Sequence, residues 1–488
     1  MKVKFDIRGV VALYLFSVIF VLNLTKISDP DFFWHLKTGE KISQEGFLRA
    51  DSFSWSFPLK EWHNHEWLSQ VVFHLLYKHF GAGGLILVKA FLVTLAFGLL
   101  FLTILKKTSS FETAVFVTAL SGWFSSITYS VRPQIFSFFL LSALIYLLFC
   151  QDKKQRLIPI IFLLWINLHG MFIVGLGALF IFALEETIKT GKFGALAKIF
   201  ILSLLASLIN PHGAGGILHP LKYLAGSTHI HLSYIMEWMS PDFHEPYGLG
   251  LFAFIAISVF SFAFSKEKPS LRNALLFLLF LFLALYSVRN VPLFLIVVSP
   301  FVAVHLKSAA ASFPRPSPGS TGLLKIRPLA DSKLLKPFNY FLALAALLLI
   351  FITFRTNFSD GFMDKTDYPA NAVKILKKTG HKKILNPYRW GGYLIFNGLP
   401  VFIDGRADFY PGKFLEEFFL STTLEKDPGK FLKKYDFDLI VWERNTPLSF
   451  YLGSSEKWKC IYSDKISEIY RKNGVRVKMG SVLFFPFR

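Results

Sequence analysis

Hydrophobic positions in this chain come in long runs, not in the alternating or one-faced patterns of a soluble domain. Eleven apolar stretches stand out, at roughly 9–25, 84–105, 111–128, 134–150, 157–168, 171–184, 199–209, 249–265, 273–287, 291–306 and 337–354. A transmembrane helix needs about 20 mostly apolar residues. The pattern therefore predicts a polytopic α-helical membrane protein of about eleven spans. The shorter stretches 157–168 and 199–209 suit tilted, broken or re-entrant segments. The first stretch has a basic start (Lys2, Lys4, Arg8) but no small-residue cleavage site before Asp29, so it is expected to be retained.

After Arg355 the pattern changes. Residues 369–379 read as an amphipathic helix. Residues 384–386 and 399–405 read as strands with a short helix between them. Helices follow at 412–420 and 426–435, then a buried strand at 436–443 and two strands near the end. This alternation predicts a C-terminal α/β domain over 355–488. The expected organisation is a core at 1–306 with an outer loop at 26–83, a Pro/Ser/Gly-rich linker at 307–336, a last span at 337–354, and the α/β domain.

Composition agrees. Of 488 residues, 53% are hydrophobic and 17% charged, against about 25% charged in soluble domains. This excludes a disordered chain, and two cysteines give no disulfide framework. The net charge of +21 invites a nucleic-acid reading, but its distribution points elsewhere. With the N-terminus cytoplasmic, the inner segments carry 20 Lys and Arg; the outer connections at 129–133, 169–170, 210–248 and 288–290 carry only Arg132, Lys222 and Arg289. That asymmetry fits the positive-inside rule. The expected location is the cytoplasmic membrane, with the 26–83 loop and the C-terminal domain outside and no nucleic-acid partner.

The unusual polar residues gather on the same outer side. The first cluster is Asp29-Pro30-Asp31-Phe32-Phe33-Trp34-His35. Two carboxylates two residues apart can hold a divalent cation, or one can act as a general base. Alternatively, Asp29 caps a helix that Pro30 opens, leaving Asp31 the freer carboxylate. The second is Glu61-Trp62-His63-Asn64-His65-Glu66-Trp67. It lacks the second imidazole of a zinc-protease motif because position 69 is Ser69. His63, His65 and Glu66 remain candidate ligands or phosphate donors, or members of an interfacial belt. Arg132 and Arg289 each sit between two spans, where a guanidinium can grip phosphate oxygens or snorkel. His169 interrupts an apolar run, and His212 and Glu237 lie in a long loop that also holds His219, His229, His231 and His244.

These motifs resemble the GT-C superfamily of polyprenyl-phosphate-sugar-dependent glycosyltransferases. The opening Asp29-Pro30-Asp31 through His35 is most similar to the oligosaccharyltransferase catalytic subunit. Arg389-Trp390-Gly391-Gly392-Tyr393, followed by Asp404-Gly405-Arg406, resembles that family's WWDYG segment. The family's aspartate is replaced by Gly391, so peptide-sequon recognition is not implied. The resemblance implies Asp31, or Asp29, as acid/base or metal ligand, and Glu237 as the acidic residue of a late outer loop. It also implies Arg289, with Arg132, as the lipid-phosphate contacts.

The activity this resemblance implies is transfer of a sugar or glycan from a polyprenyl-phosphate-linked donor to a glycan, lipid or protein acceptor, with inversion. Mg or Mn would be held by Asp29, Asp31 or Glu237. His35, His63, His65, Glu66, His169, His212, Trp390 and Tyr393 are candidate substrate contacts. Asp404 and Arg406 could touch acceptor or form a structural pair. Two alternatives belong to other classes: a transporter or flippase of lipid-linked glycans, and a non-catalytic scaffold for a glycan-assembly enzyme. Against transport, the spans show no repeated pair of broken helices.

Overall fold

The computed structural model describes residues 7–226, 234–313, 335–364 and 368–475. The chain is mostly helical and forms two compact units. The first contains Met1–Lys26, Gly83–Pro220 and Ile235–Gly361; the second contains Ile27–Ala82, Leu221–Tyr234 and Phe362–Arg488.

Each of the eleven apolar stretches falls on a helix. In the first unit, Val291–Ala310 is buried along most of its length. It is apolar all round, which marks a central helix. Ser299 on it shares a 2.8 Å hydrogen bond with Ser121 of Phe111–Phe124. At the other extreme is Leu335–Asn357, which exposes Phe338, Tyr340, Phe341, Leu344, Leu347 and Phe351. Apolar surface on that scale belongs against lipid, not water. Among the described residues, four helices have the length and composition to cross a membrane: Trp67–Thr108, Pro246–Phe264, Val288–Ala310 and Pro337–Asn357. Ile158–Leu168 has only 11 residues, about 16 Å of helix, too short to span on its own.

Trp67–Thr108 is two helices joined at Gly81, whose φ of 62° breaks the helical path. Glycine has no Cβ penalty in that region. Residues 67–80 belong to the second unit and residues from 83 onward to the first. The loop at 210–248 contains a helix, Ala214–Gly226, that periodicity did not suggest.

The second unit holds a four-stranded sheet in the order β1 (Ile384–Leu385), β2 (Leu439–Glu443), β4 (Ser467–Lys472), β3 (Trp458–Ser463). β1 and β2 are parallel; the other pairs are antiparallel. The expected helices appear at Ala370–Thr379, Gly391–Phe396, Gly412–Thr422 and Pro428–Tyr435.

Two expectations are corrected. Residues 399–405 do not join the sheet. Val401 makes an isolated bridge with Ser54, and its N–H donates to the Phe53 carbonyl over 3.2 Å. The backbone hydrogen bonds of Val401 thus go to the 50s loop, and the Phe402 N–H and the Ile403 carbonyl pair with the Asn386 side chain, instead of a strand. The 26–83 loop, assigned by sequence to the core, is built with the C-terminal residues into one unit. The Trp55 N–H donates to the Val401 carbonyl over 2.9 Å, and the Trp55 indole to the Ile384 carbonyl over 3.1 Å. Most of the expected 307–336 linker lies outside the described residues.

Candidate active site

In the second unit the helix Asp31–Glu45 begins with Asp31 half-exposed. The Asp29 carboxylate accepts the Asp31 N–H over 3.0 Å, and Pro30 stands at the helix start. Asp29 thus braces the first turn, and Asp31 opens the helix. Glycines let other backbone close on this turn. A Cβ at Gly392 would sit 2.5 Å from the Pro30 carbonyl oxygen; one at Gly405 would sit 1.7 Å from Asp31 Oδ1. The Asp31 carboxylate therefore occupies the place of a side chain at Gly405. Gly391 lies just as tightly against Ile403 and Asp404, so it packs on the 400–404 segment.

Beyond Asp31 the helix contributes buried His35. His35 Nε2 lies 3.9 Å from Glu66, whose other oxygen is 3.8 Å from His65 Nε2; His65 Nδ1 is 3.7 Å from Asp408. These separations exceed hydrogen-bond length, but they align two imidazoles and two carboxylates in one row. His63 belongs to the same loop, next to the buried Asn64–Gln70 side-chain pair.

Of the other candidates of this unit, Trp390, Asp404 and Arg406 are buried and Tyr393 is half-buried. Trp390 is 2% exposed. The Tyr393 ring sits against Phe33 and Tyr368, with centroids 5.0 and 5.2 Å away. Asp404 and Arg406 form the structural pair, not an acceptor contact. Arg406 donates to Asp404 through two nitrogens, over 2.8 and 2.7 Å, and to Asp51 over 2.6 Å. All three side chains are fully shielded from solvent. The Tyr410 hydroxyl donates to Asp404, and the guanidinium lies over the Phe53, Trp62 and Phe409 rings. Burial opposes the guanidinium's charge, but Asp404 and then Asp51 outweigh it and raise the Arg406 pKa. Burial, followed by the Asp404 charge, likewise pushes the Tyr410 phenol well up.

In the first unit Arg132, Glu237 and Arg289 come together. Arg132 donates to one Glu237 oxygen, and Arg289 lies 3.6 Å from the other. Arg289 is also stacked over the Trp238 ring at 4.3 Å, and the Ser287 hydroxyl donates to the Glu237 carbonyl. Burial would raise the Glu237 pKa; Arg132 and Arg289 reverse that and hold it below the usual carboxylate range. Charges 105 and 52 residues apart in the chain are thereby collected at one point.

His169 closes a buried network in the same unit. The Trp165 indole donates to Ser137 Oγ over 2.7 Å, and Ser137 Oγ lies 2.8 Å from His169 Nδ1. The indole can only donate, so Ser137 has its own proton left for His169 Nδ1. Asn167 donates to the Leu163 and Ile209 carbonyls. The His212 N–H donates to Asn210, which also holds the Gly213 carbonyl, so this His212 turn is a local structure. His229 and His231 lie outside the described residues.

The sequence reading missed Asp51, which meets Arg406 across 355 positions, a pairing that no local signal announces. It also missed Lys89, a buried lysine whose ammonium donates to Thr25 Oγ1 and the Tyr129 carbonyl. A lone lysine in an apolar run was the available signal.

No family model and no curated protein matches the sequence. Among solved structures, ArnT from Cupriavidus metallidurans bound to undecaprenyl phosphate matches with a TM-score of 0.50 and 12% identity, covering 95% of this chain and 97% of that one. The archaeal oligosaccharyltransferase AglB from Archaeoglobus fulgidus, in complex with an inhibitory peptide and a dolichol-phosphate, matches with a TM-score of 0.47 and 11% identity over 88% of this chain and 69% of that one. The chain shares the fold of the ArnT structure over nearly its whole length.

Proposed function

We propose that this GT-C-fold protein transfers a sugar or glycan from a polyprenyl-phosphate-linked donor to a glycan, lipid or protein acceptor at the outer face of the cytoplasmic membrane. The observation that carries the reading is the convergence of Arg132 and Arg289 on Glu237. Two guanidiniums around one carboxylate leave one positive charge in excess, the complement of a phosphodiester monoanion. Arginine forks match phosphate oxygens in geometry as well as charge. The fold adds support, since the ArnT structure that shares it holds undecaprenyl phosphate.

In this reading the guanidiniums bind the donor phosphate and stabilise the charge that develops on it as the glycosidic bond breaks. Asp31 takes the proton from the acceptor hydroxyl. A divalent cation does not suit Glu237, whose oxygens already face two guanidiniums. Asp29 and Asp31 offer the hard oxygen donors that Mg or Mn prefers, and a cation there would acidify the acceptor hydroxyl. The excess of Lys and Arg in the inner segments supports a cytoplasmic N-terminus.

The test is binding of undecaprenyl phosphate to the full chain in nanodiscs, read by native mass spectrometry. Arg289→Ala and Arg132→Ala should each weaken binding by about tenfold or more, the value of a charged hydrogen bond. Wild-type affinity in both variants would overturn the reading.

A further inference from the structure

The indole of Trp34 is the least explained polar group near Asp31. Trp34 is 6% exposed, and among the described residues its Nε1 has no hydrogen-bond partner. A buried N–H without an acceptor costs free energy and calls for a reason. Its ring is well held, tilted against His35 with centroids 3.7 Å apart and edge-on to Trp62. The nitrogen is therefore fixed rather than loosely placed. Gly405 marks where it lies: the position of a Cβ on that residue is 1.7 Å from Asp31 Oδ1 and 3.2 Å from Trp34 Nε1. A strong acceptor and an orphaned donor thus converge beside one glycine, at the start of a 15-residue helix. Aspartate carboxylate accepts, indole only donates, and a hydroxyl does both.

We infer that Trp34 Nε1 and Asp31 together form a hydroxyl-binding site, in which the acceptor's hydroxyl oxygen takes the indole N–H and its proton points to Asp31. The inference rests on the glycosyl-transfer reading and specifies the acceptor's chemistry: an alcohol, such as a sugar hydroxyl, not an amide nitrogen. The step balances simply. The hydroxyl proton passes to Asp31, and an oxygen lone pair forms the bond to the anomeric carbon. The electron pair of the carbon–oxygen bond to the donor phosphate leaves with that phosphate. The products are the glycoside and the polyprenyl phosphate. Trp34 orients the nucleophile and makes its proton easier to remove.

The probe is a panel of n-octyl glycosides of glucose, galactose and N-acetylglucosamine, titrated into the full chain carrying 5-fluorotryptophan in nanodiscs. The Trp34 fluorine resonance is identified by its loss in Trp34→Phe, which keeps the ring packing and removes the N–H. At least one glycoside should move that resonance and undecaprenyl phosphate alone should not; the response should shrink in Asp31→Asn. Transfer to the responding glycoside should fall about five- to tenfold in kcat/KM in Trp34→Phe, the value of one neutral hydrogen bond, with undecaprenyl phosphate affinity unchanged. A Trp34 resonance indifferent to every glycoside, or a Trp34→Phe protein with wild-type kcat/KM, would overturn the inference. If the glycoside response persists while Arg289→Ala and Arg132→Ala keep wild-type undecaprenyl phosphate affinity, the donor reading fails and the hydroxyl site stands.

Discussion

Two arginine–carboxylate clusters, one in each unit, use the same chemistry toward opposite ends. Around Arg406, two carboxylates serve one guanidinium, and all three side chains are sealed from solvent. Around Glu237, two guanidiniums share one carboxylate, and the side chains keep 16% to 30% of their surface exposed. A sealed cluster with its cation satisfied on every side can only hold structure. A partly open cluster with cation to spare can accept an anion from outside. Charge ratio and exposure, not residue type, separate the two.

That contrast can be broken by mutation, and the largest effect belongs to the sealed cluster. Arg406→Ala leaves Asp404 and Asp51 buried without their cation. Breaking a buried pair in this way costs about 3–5 kcal/mol, enough to unfold the second unit in thermal denaturation of the full chain. An unchanged melting profile would contradict the structural role.

At the open cluster, Arg289→Ala should leave folding intact and slow transfer by roughly 10²–10³-fold, as loss of one donor to a developing anion does. Circular dichroism and a transfer assay on the same sample separate fold from function. A sample that loses its fold along with its activity would erase the distinction between the clusters.

Gly405→Ala tests the link between the sealed segment and Asp31. Its Cβ would overlap Asp31 Oδ1, so the carboxylate must move. Displacement of a reacting group by about 1 Å can cost about a hundredfold in rate. Turnover should drop in that range, and normal turnover would show that the Asp31 position is not critical.

The smallest effect concerns Glu237 itself. Glu237→Gln removes the charge that competes for the guanidiniums, so undecaprenyl phosphate should bind several-fold more tightly. The pH dependence has a defined sign. Arg132 and Arg289 outweigh burial and hold the Glu237 pKa below its usual value. The stabilisation is therefore present above the unfolded-state pKa and is lost as pH falls through the lower folded-state value. Acid titration of the wild type should show this loss; Glu237→Gln should not. Identical acid profiles would remove Glu237 as an ionised partner.

Much of this was legible along the chain because it is written locally. Apolar runs gave the helices, and the alternation after Arg355 gave β2, β3, β4 and the helices around them. The helix start at Asp31 was legible from Pro30 before it. What could not be read was pairing at long range. Residues 399–405 have the composition of a strand, yet Val401 at their centre pairs with Phe53 and Trp55. The charged string Asp404, Arg406, Asp408 looks like a solvated end, yet Asp51 seals Arg406 while Asp408 stays near His65. The sequence offers Glu237 as the acidic residue of a late outer loop and Arg132 and Arg289 as phosphate contacts. That the three touch each other is set by how the helices pack, which no spacing records.

The central claim is sugar transfer from a polyprenyl phosphate, with Asp31 as the proton acceptor. The most direct measurement is release of undecaprenyl phosphate from undecaprenyl-phosphate-linked monosaccharides by the purified full chain in nanodiscs, with a hydroxyl acceptor supplied, for wild type and Asp31→Asn. The account predicts acceptor-dependent release by the wild type and a loss of at least a hundredfold in Asp31→Asn, the order of a general base's contribution. Equal release by both proteins would contradict it.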